Sequence, residues 1–256
     1  MFTRCPKCSH QPLPADQSLP AACPSCGVIL AKVARHAAQR GLPPGHRTSP
    51  AGAVQIDQET GWRALLLHVP ERVDNTLFWC RAALLAVFAV WGSWLMTRSV
   101  ADSEMAQSFI HGPLLVFHEA GHVLFIPLGR WMTVAGGTLL QCLMPVVLGA
   151  ALLRKNRDPF GAAFALWLLG VSVMDVAPYL YDALHPQLTL LGGGTGEDGG
   201  HDFIFLLDSV GLRHHAQWLG LLLHKLGALL MLLALGWAGW LLVLQHGRRA
   251  GVVIHE

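Results

Sequence analysis

The sequence predicts an all-α integral membrane protein of four to five spanning helices, preceded by a small N-terminal cysteine module. Three observations predict it. Apolar residues make up 53% of the 256 residues and charged residues only 13%, about half the charge of a soluble domain. The apolar residues gather into runs that approach or exceed the roughly 20 needed to cross a bilayer. Four of the six cysteines fall in the first 26 residues as two CxxC pairs. The net charge of +2, with no basic stripe, argues against nucleic acid as a partner.

Residues 1–33 carry Cys5-Pro6-Lys7-Cys8 and Cys23-Pro24-Ser25-Cys26. Two such knuckles with a short intervening loop bring four thiolates to one tetrahedral zinc ion. About 30 residues cannot bury a sufficient core, so the metal supplies the folding free energy. The expectation is a four-cysteine zinc ribbon with one structural Zn2+ held by Cys5, Cys8, Cys23 and Cys26, and the Cys-Pro-Ser-Cys-Gly stretch resembles zinc-ribbon knuckles. Such a module offers a surface to a cytosolic protein partner. Cys80 and Cys142 lie alone in apolar runs and read as packing residues.

Residues 34–60 read as a Pro/Gly-rich linker, through Gly41-Leu42-Pro43-Pro44-Gly45 and Ser49-Pro50-Ala51-Gly52. Residues 61–256 form the membrane domain. Trp62 to Asn75 mixes tryptophan and leucine with Arg63 and Arg72, the composition of a segment lying along the interface. The expected spans are Leu77–Thr97, Gly112–Leu128, Gly136–Leu153, Phe160–Tyr181 and Leu226–Leu244. Met1 to Pro24 contains no apolar run of the signal-peptide kind. The first span is therefore expected to act as its own insertion signal, leaving the N-terminus cytoplasmic in a multi-pass protein. Five full crossings from that start would place the basic loop Arg154-Lys155-Asn156-Arg157 outside, against the positive-inside rule. A Gly136–Leu153 segment that re-enters without crossing is one way out.

The central motif is His118-Glu119-Ala120-Gly121-His122. Positions i and i+4 share one helix face, so both imidazoles can reach a single ion while the intervening carboxylate takes a proton from water. Composition alone yields about 0.02 chance HExxH matches in this chain. Ionisable groups in an apolar helix persist mainly where they pair, bind or line a cavity, and this helix holds three within five residues. A catalytic zinc keeps three protein ligands. On physical grounds Asp175 is a leading third donor, because it lies deep in an apolar span with no cationic neighbour in sequence. Asp198, His201 and Asp202 are further candidates, since the glycines of Gly192–Gly200 let that segment fold back and Asp202 can open a helix over Phe203–Leu207.

Between Gly112 and about Leu207 the chain resembles the site-2 protease family of intramembrane zinc metalloproteases. The resemblance lies in HEAGH within an apolar helix, in Asp198-Gly199-Gly200-His201, which looks like the DGGH portion of that family's later motif, and in Asp175-Val176-Ala177-Pro178, which looks like an NxxP element with Asp for Asn. The two later elements stand farther apart than the family's pattern, and Glu197 replaces its usual leucine. The resemblance implies a catalytic Zn2+ on His118, His122 and Asp198, with Glu119 as general base, acting on a membrane protein or peptide. The competing expectation is a non-catalytic zinc-ribbon membrane adaptor, a degenerate protease relative.

Overall fold

The structure is a computed structural model that describes residues 2–19, 21–39 and 61–249. The chain divides into two compact units, Met1–Thr60 and Gly61–Glu256.

In the first unit the two CxxC segments are built alike. The Cys5 carbonyl accepts from Ser9 N–H at 2.9 Å and the Cys23 carbonyl from Gly27 N–H at 2.9 Å. Cys5 N–H donates to His10 O and Cys23 N–H to Val28 O. Each turn closes through a left-handed residue, Ser9 (φ 59°) and Gly27 (φ 69°). Cys5, Cys23 and Leu30 form the small core, with Phe2, Leu13 and Val28 against it. The ribbon's sheet is reduced to one antiparallel bridge, Ala22 to Ile29. Helix α1, Leu30–Gln39, carries regular structure past residue 33. The linker expected from residue 34 therefore starts no earlier than residue 40, because the alanine-rich segment before Gly41 favours helix. The Pro/Gly run itself lies outside the described residues.

The second unit is all-helical among its described residues. After the short α2 (Trp62–Leu66), four helices are long and apolar enough to cross a membrane: α3 (Asn75–Met96), α5 (Arg130–Ala151, continued by a π turn to Asn156), α6 (Pro159–Asp182) and α8 (Ala216–His246). Asp74 caps α3, its carboxylate accepting from Leu77 N–H at 3.0 Å. Helix α6 is the central one, with buried residues along its whole length. It lies against α8 at backbone distance: a Cβ built on Gly170 would come within 2.7 Å of Gly227 O, and one on Gly227 within 2.6 Å of Gly170 O. Small residues at such seams let helices pack where lipid gives no hydrophobic drive between them. Trp167, Val171, Met174, Met231 and Leu95 fill the middle of the unit. The outward faces of α3, α5 and α8 expose large apolar side chains, among them Val90, Val147 and Leu232, as a lipid-facing surface requires.

Two expectations change. The HExxH segment, expected as a span over Gly112–Leu128, is α4, His111–Phe125, a helix of 15 residues followed by a 3₁₀ turn. That is about 22 Å of rise, short of a bilayer core. Gly136–Leu153 is not interrupted at Pro145: it lies in a continuous 22-residue helix and the π turn that follows, long and apolar enough to cross. The shorter helix α4 pairs with the N-terminal half of α5 as a hairpin turning at Gly129.

Candidate metal centre

The α4–α5 hairpin is close because glycine faces glycine. A Cβ on Gly121, inside HEAGH, would fall 2.1 Å from Gly136 O, so neither residue can carry a side chain at this separation. One position on, a Cβ at Gly137 would lie 2.6 Å from His118 Nε2 and 2.7 Å from His122 Nε2. Gly137 thus leaves the space in which the two ligand nitrogens converge.

Both imidazoles are fixed from behind. His122 Nδ1–H donates to Thr133 O at 2.9 Å. His118 Nδ1–H donates to Gln141 Oε1 at 3.1 Å, and Gln141 is itself held because its Nε2 donates to Asp175 Oδ2 at 3.0 Å and to Ser172 O at 3.4 Å. With each Nδ1 committed as donor, each Nε2 lone pair is free to bind, the arrangement that metal-ligating histidines use. Asp202 Oδ2 lies 3.0 Å from His118 Nε2 and 3.2 Å from His122 Nε2. Donors on one tetrahedral zinc stand about 3.3 Å apart, so Asp202 Oδ2 is spaced from each imidazole as a co-ligand would be. Glu119 is the fourth group: one of its oxygens lies within 4.8 Å of ligand nitrogens of both histidines, and its side chain is exposed to the adjoining cavity.

The other sequence candidates are occupied elsewhere. Asp175 is buried, but its carboxylate takes His111 Nδ1–H at 3.0 Å and the Gln141 amide, which answers its missing cationic neighbour. Asp198 closes its own turn by accepting from Thr195 N–H at 3.2 Å. Gly199 (φ 100°) and Gly200 (φ 81°) then swing the backbone through conformations closed to other residues, and Asp202 arrives as the first residue of α7, Asp202–Ser209. His201 caps that helix, its Nδ1 accepting from Ile204 N–H at 3.4 Å. Its Nε2 lies 3.4 Å from Asp182 Oδ2. Burial holds His201 below the ordinary imidazole range, as an acceptor at the cap requires. The resemblance pointed to Asp198; geometry brings its neighbour four residues on.

Tyr179 was missed in the sequence, as were His111, Gln141 and Gly137. Tyr179 Oη accepts Asp202 N–H at 2.9 Å and its ring lies over that of His201, with centroids 4.2 Å apart, so α6 fixes the start of α7. A signal for the α5 residues was present: Thr133, Gly137 and Gln141 recur at i, i+4, i+8 and so share one face. The cavity beside these groups has a volume of about 630 Å³. It is bounded by His111, Glu119, Tyr179 and the Leu188–Leu191 stretch, and no Lys or Arg lines it among the described residues.

The second metal-compatible group is the cysteine cluster. Cys5 Sγ to Cys26 Sγ is 3.6 Å and Cys8 Sγ to Cys23 Sγ is 3.7 Å, and all four sulfurs lie within 4.8 Å of one another. Four sulfurs on one zinc at about 2.3 Å stand about 3.8 Å apart, so the cluster is compatible with a zinc ribbon. Burial pushes the Cys5 thiol up, but N–H groups of Cys8 and Lys7 donate to its sulfur and outweigh that, lowering its pKa to about 6. Cys26 shifts the opposite way: the Val28 N–H lowers it, but burial and the neighbouring sulfurs outweigh that and raise it to about 12.

Gln141→Leu should weaken metal binding at His118 by about 10- to 100-fold, the usual cost of losing an outer-shell partner. Titration against a competing chelator measures it.

Fold and site together define a multi-helical chain of membrane type with two groups able to hold metal. No family model, curated protein or solved structure matches it.

Proposed function

We propose that this chain is a zinc-dependent intramembrane peptidase that hydrolyses an internal peptide bond of a membrane protein or peptide. The observation that carries the proposal is the convergence of His118 Nε2 and His122 Nε2 on Asp202 Oδ2, at 3.0 and 3.2 Å, with Glu119 beside them and both Nδ1 atoms turned away. His118, His122 and Asp202 are the ligands of the catalytic ion in this reading, and Cys5, Cys8, Cys23 and Cys26 hold the structural one. The site-2 protease resemblance in HEAGH points the same way.

Held by His118, His122 and Asp202, a zinc ion would supply Lewis acidity, making water easier to deprotonate and a carbonyl more electrophilic. The protein does the rest. Glu119 removes a proton from water as its oxygen adds to the peptide carbon, and returns it to the nitrogen as the C–N bond breaks. Gln141 and Thr133 O hold the two imidazoles in the tautomer that keeps Nε2 unprotonated, and Tyr179 holds Asp202 in reach. With no cation on the cavity wall among the described residues to pair a terminal carboxylate, an internal bond suits the site better than a C-terminal one. The apolar outer faces of α4 and α5 support a reaction in or beside lipid.

Metal analysis of purified protein tests the assignment. Wild type should carry two zinc ions per chain, falling to one in His118→Ala, in Asp202→Ala and in Cys23→Ser. The reading fails if wild type holds a single zinc that only the cysteine substitution removes; a zinc-ribbon adaptor would then remain. If Asp198→Ala lost an ion while Asp202→Ala kept both, the third ligand would be misassigned.

A further inference from the structure

We infer that the metal centre opens on the extracytoplasmic side of the membrane and takes its polypeptide from that side. This rests on the membrane peptidase reading above for the word polypeptide, and on the packing of the helices for the side.

The helices align in a register that sorts the charges. Arg81 Nη2 lies 3.3 Å from Asp158 Oδ1 and its Nη1 donates to Gln245 Oε1 at 3.1 Å. This places the start of α3, the start of α6 and the end of α8 at one end of the bundle. Val73 N–H donates to Arg248 O at 2.9 Å, and Arg248 Nη1 donates to Val69 O at 2.7 Å, so the approach to α3 lies at that end as well. The π turn closing α5 leads directly into α6 there. Arg72, Arg81, Arg154, Lys155, Arg157, Arg248 and Arg249 are therefore neighbours of one membrane face.

The metal centre is at the other end. His111 meets Asp175, late in α6, and α6 rises about 25 Å between Asp158 and Asp175. His118 and Gly137 are higher still, and α7 follows the far end of α6. Arg98, Arg130, Arg213 and Lys225 belong to this end, four described cations against the seven at the other.

Loops rich in Lys and Arg stay in the cytoplasm. Because α4 does not traverse the core, the crossings are four: α3 outward, α5 inward, α6 outward, α8 inward. The denser cationic segments, around Arg72, Arg154–Arg157 and Arg248-Arg249, then share the cytoplasmic side, and the conflict produced by five crossings disappears. His118, His122, Glu119 and Asp202 come to lie in the opposite half. A chain segment in the outer leaflet, or emerging from it, reaches Glu119 without passing the cationic face.

Cysteine labelling tests this without reference to catalysis. In a full-length background with Cys80→Ser and Cys142→Ser, Leu191→Cys is introduced at the cavity rim, Val210→Cys just beyond α7 as a second probe of that end, and Asn156→Cys in the basic turn; all three positions are exposed. Sealed right-side-out and inside-out membrane vesicles are treated with a membrane-impermeant maleimide. The cysteine module, present in the parent protein, sets the background. Leu191→Cys and Val210→Cys should label above the parent in right-side-out vesicles and lose that label in inside-out ones, with Asn156→Cys the reverse. The opposite pattern, or label on Leu191→Cys and Asn156→Cys from the same face, overturns the inference. Either result stands whether or not Glu119 proves necessary for cleavage, so the two readings fail separately.

Discussion

Gly137→Ala should cost the protein its membrane-domain ion outright. The added methyl would lie 2.6 Å from one ligand nitrogen and 2.7 Å from the other, well inside van der Waals contact. Neither ring can yield alone, because His118 is tied to Gln141 and His122 to a backbone carbonyl. Relief requires breaking those hydrogen bonds or parting α4 from α5, and both pull the Nε2 atoms away from Asp202. Zinc should fall from two per chain to one, with far-ultraviolet circular dichroism unchanged. Gly149→Ala on the same helix is the control: its Cβ comes no nearer to any neighbour than the Ala165 methyl at 3.3 Å, so two ions should remain. Two ions in Gly137→Ala would show that the histidines are not held as described.

In a zinc peptidase of the kind proposed, Glu119→Gln should slow hydrolysis by at least about 10²-fold while leaving both ions in place. The change removes one charge and almost no volume from a side chain exposed to the cavity, so neither packing nor the ligand set is disturbed. What disappears is the base. Loss of a positioned general base slows such reactions typically about 10²- to 10⁴-fold, and here the same carboxylate serves both proton transfers, which favours the upper part of that range. Initial cleavage rates of a transmembrane peptide in proteoliposomes, read beside zinc content, give the answer. Full activity in the variant would exclude the mechanism.

The two metal-compatible clusters were legible in the sequence because each is local. HEAGH needs only one helical turn to bring its imidazoles together, and the two CxxC knuckles need only a short loop. Four of the five expected spans recur as long helices, since a run of apolar residues decides its own solvent. The third donor was not legible, because its approach depends on two left-handed glycines whose direction no periodicity records. Asp175 drew attention as a buried carboxylate without a sequence neighbour; its partner, His111, is 64 residues away and opens a different helix. The length of α4 was misjudged because Ile126-Pro127-Leu128 is as apolar as a helix interior, whereas Pro127 ends the α-helical ladder by lacking the N–H it would contribute. Gly121, Gly136 and Gly137 read as weak points for helix formation, and their importance emerges only when two helices are set face to face.

The rear supports of the two imidazoles differ in kind. His122 leans on a main-chain oxygen, which no substitution can exchange, whereas His118 leans on a side-chain amide. The electron-donating strength of one ligand is thus built into the scaffold and that of the other is adjustable at a single codon. An apolar residue at position 141 would remove that acceptor and make His118 a weaker base, whereas glutamate would set a second carboxylate against Asp175. Affinity for the ion, and the acidity of whatever it activates, can in this way drift between relatives of the chain without any alteration to the atoms that touch the metal.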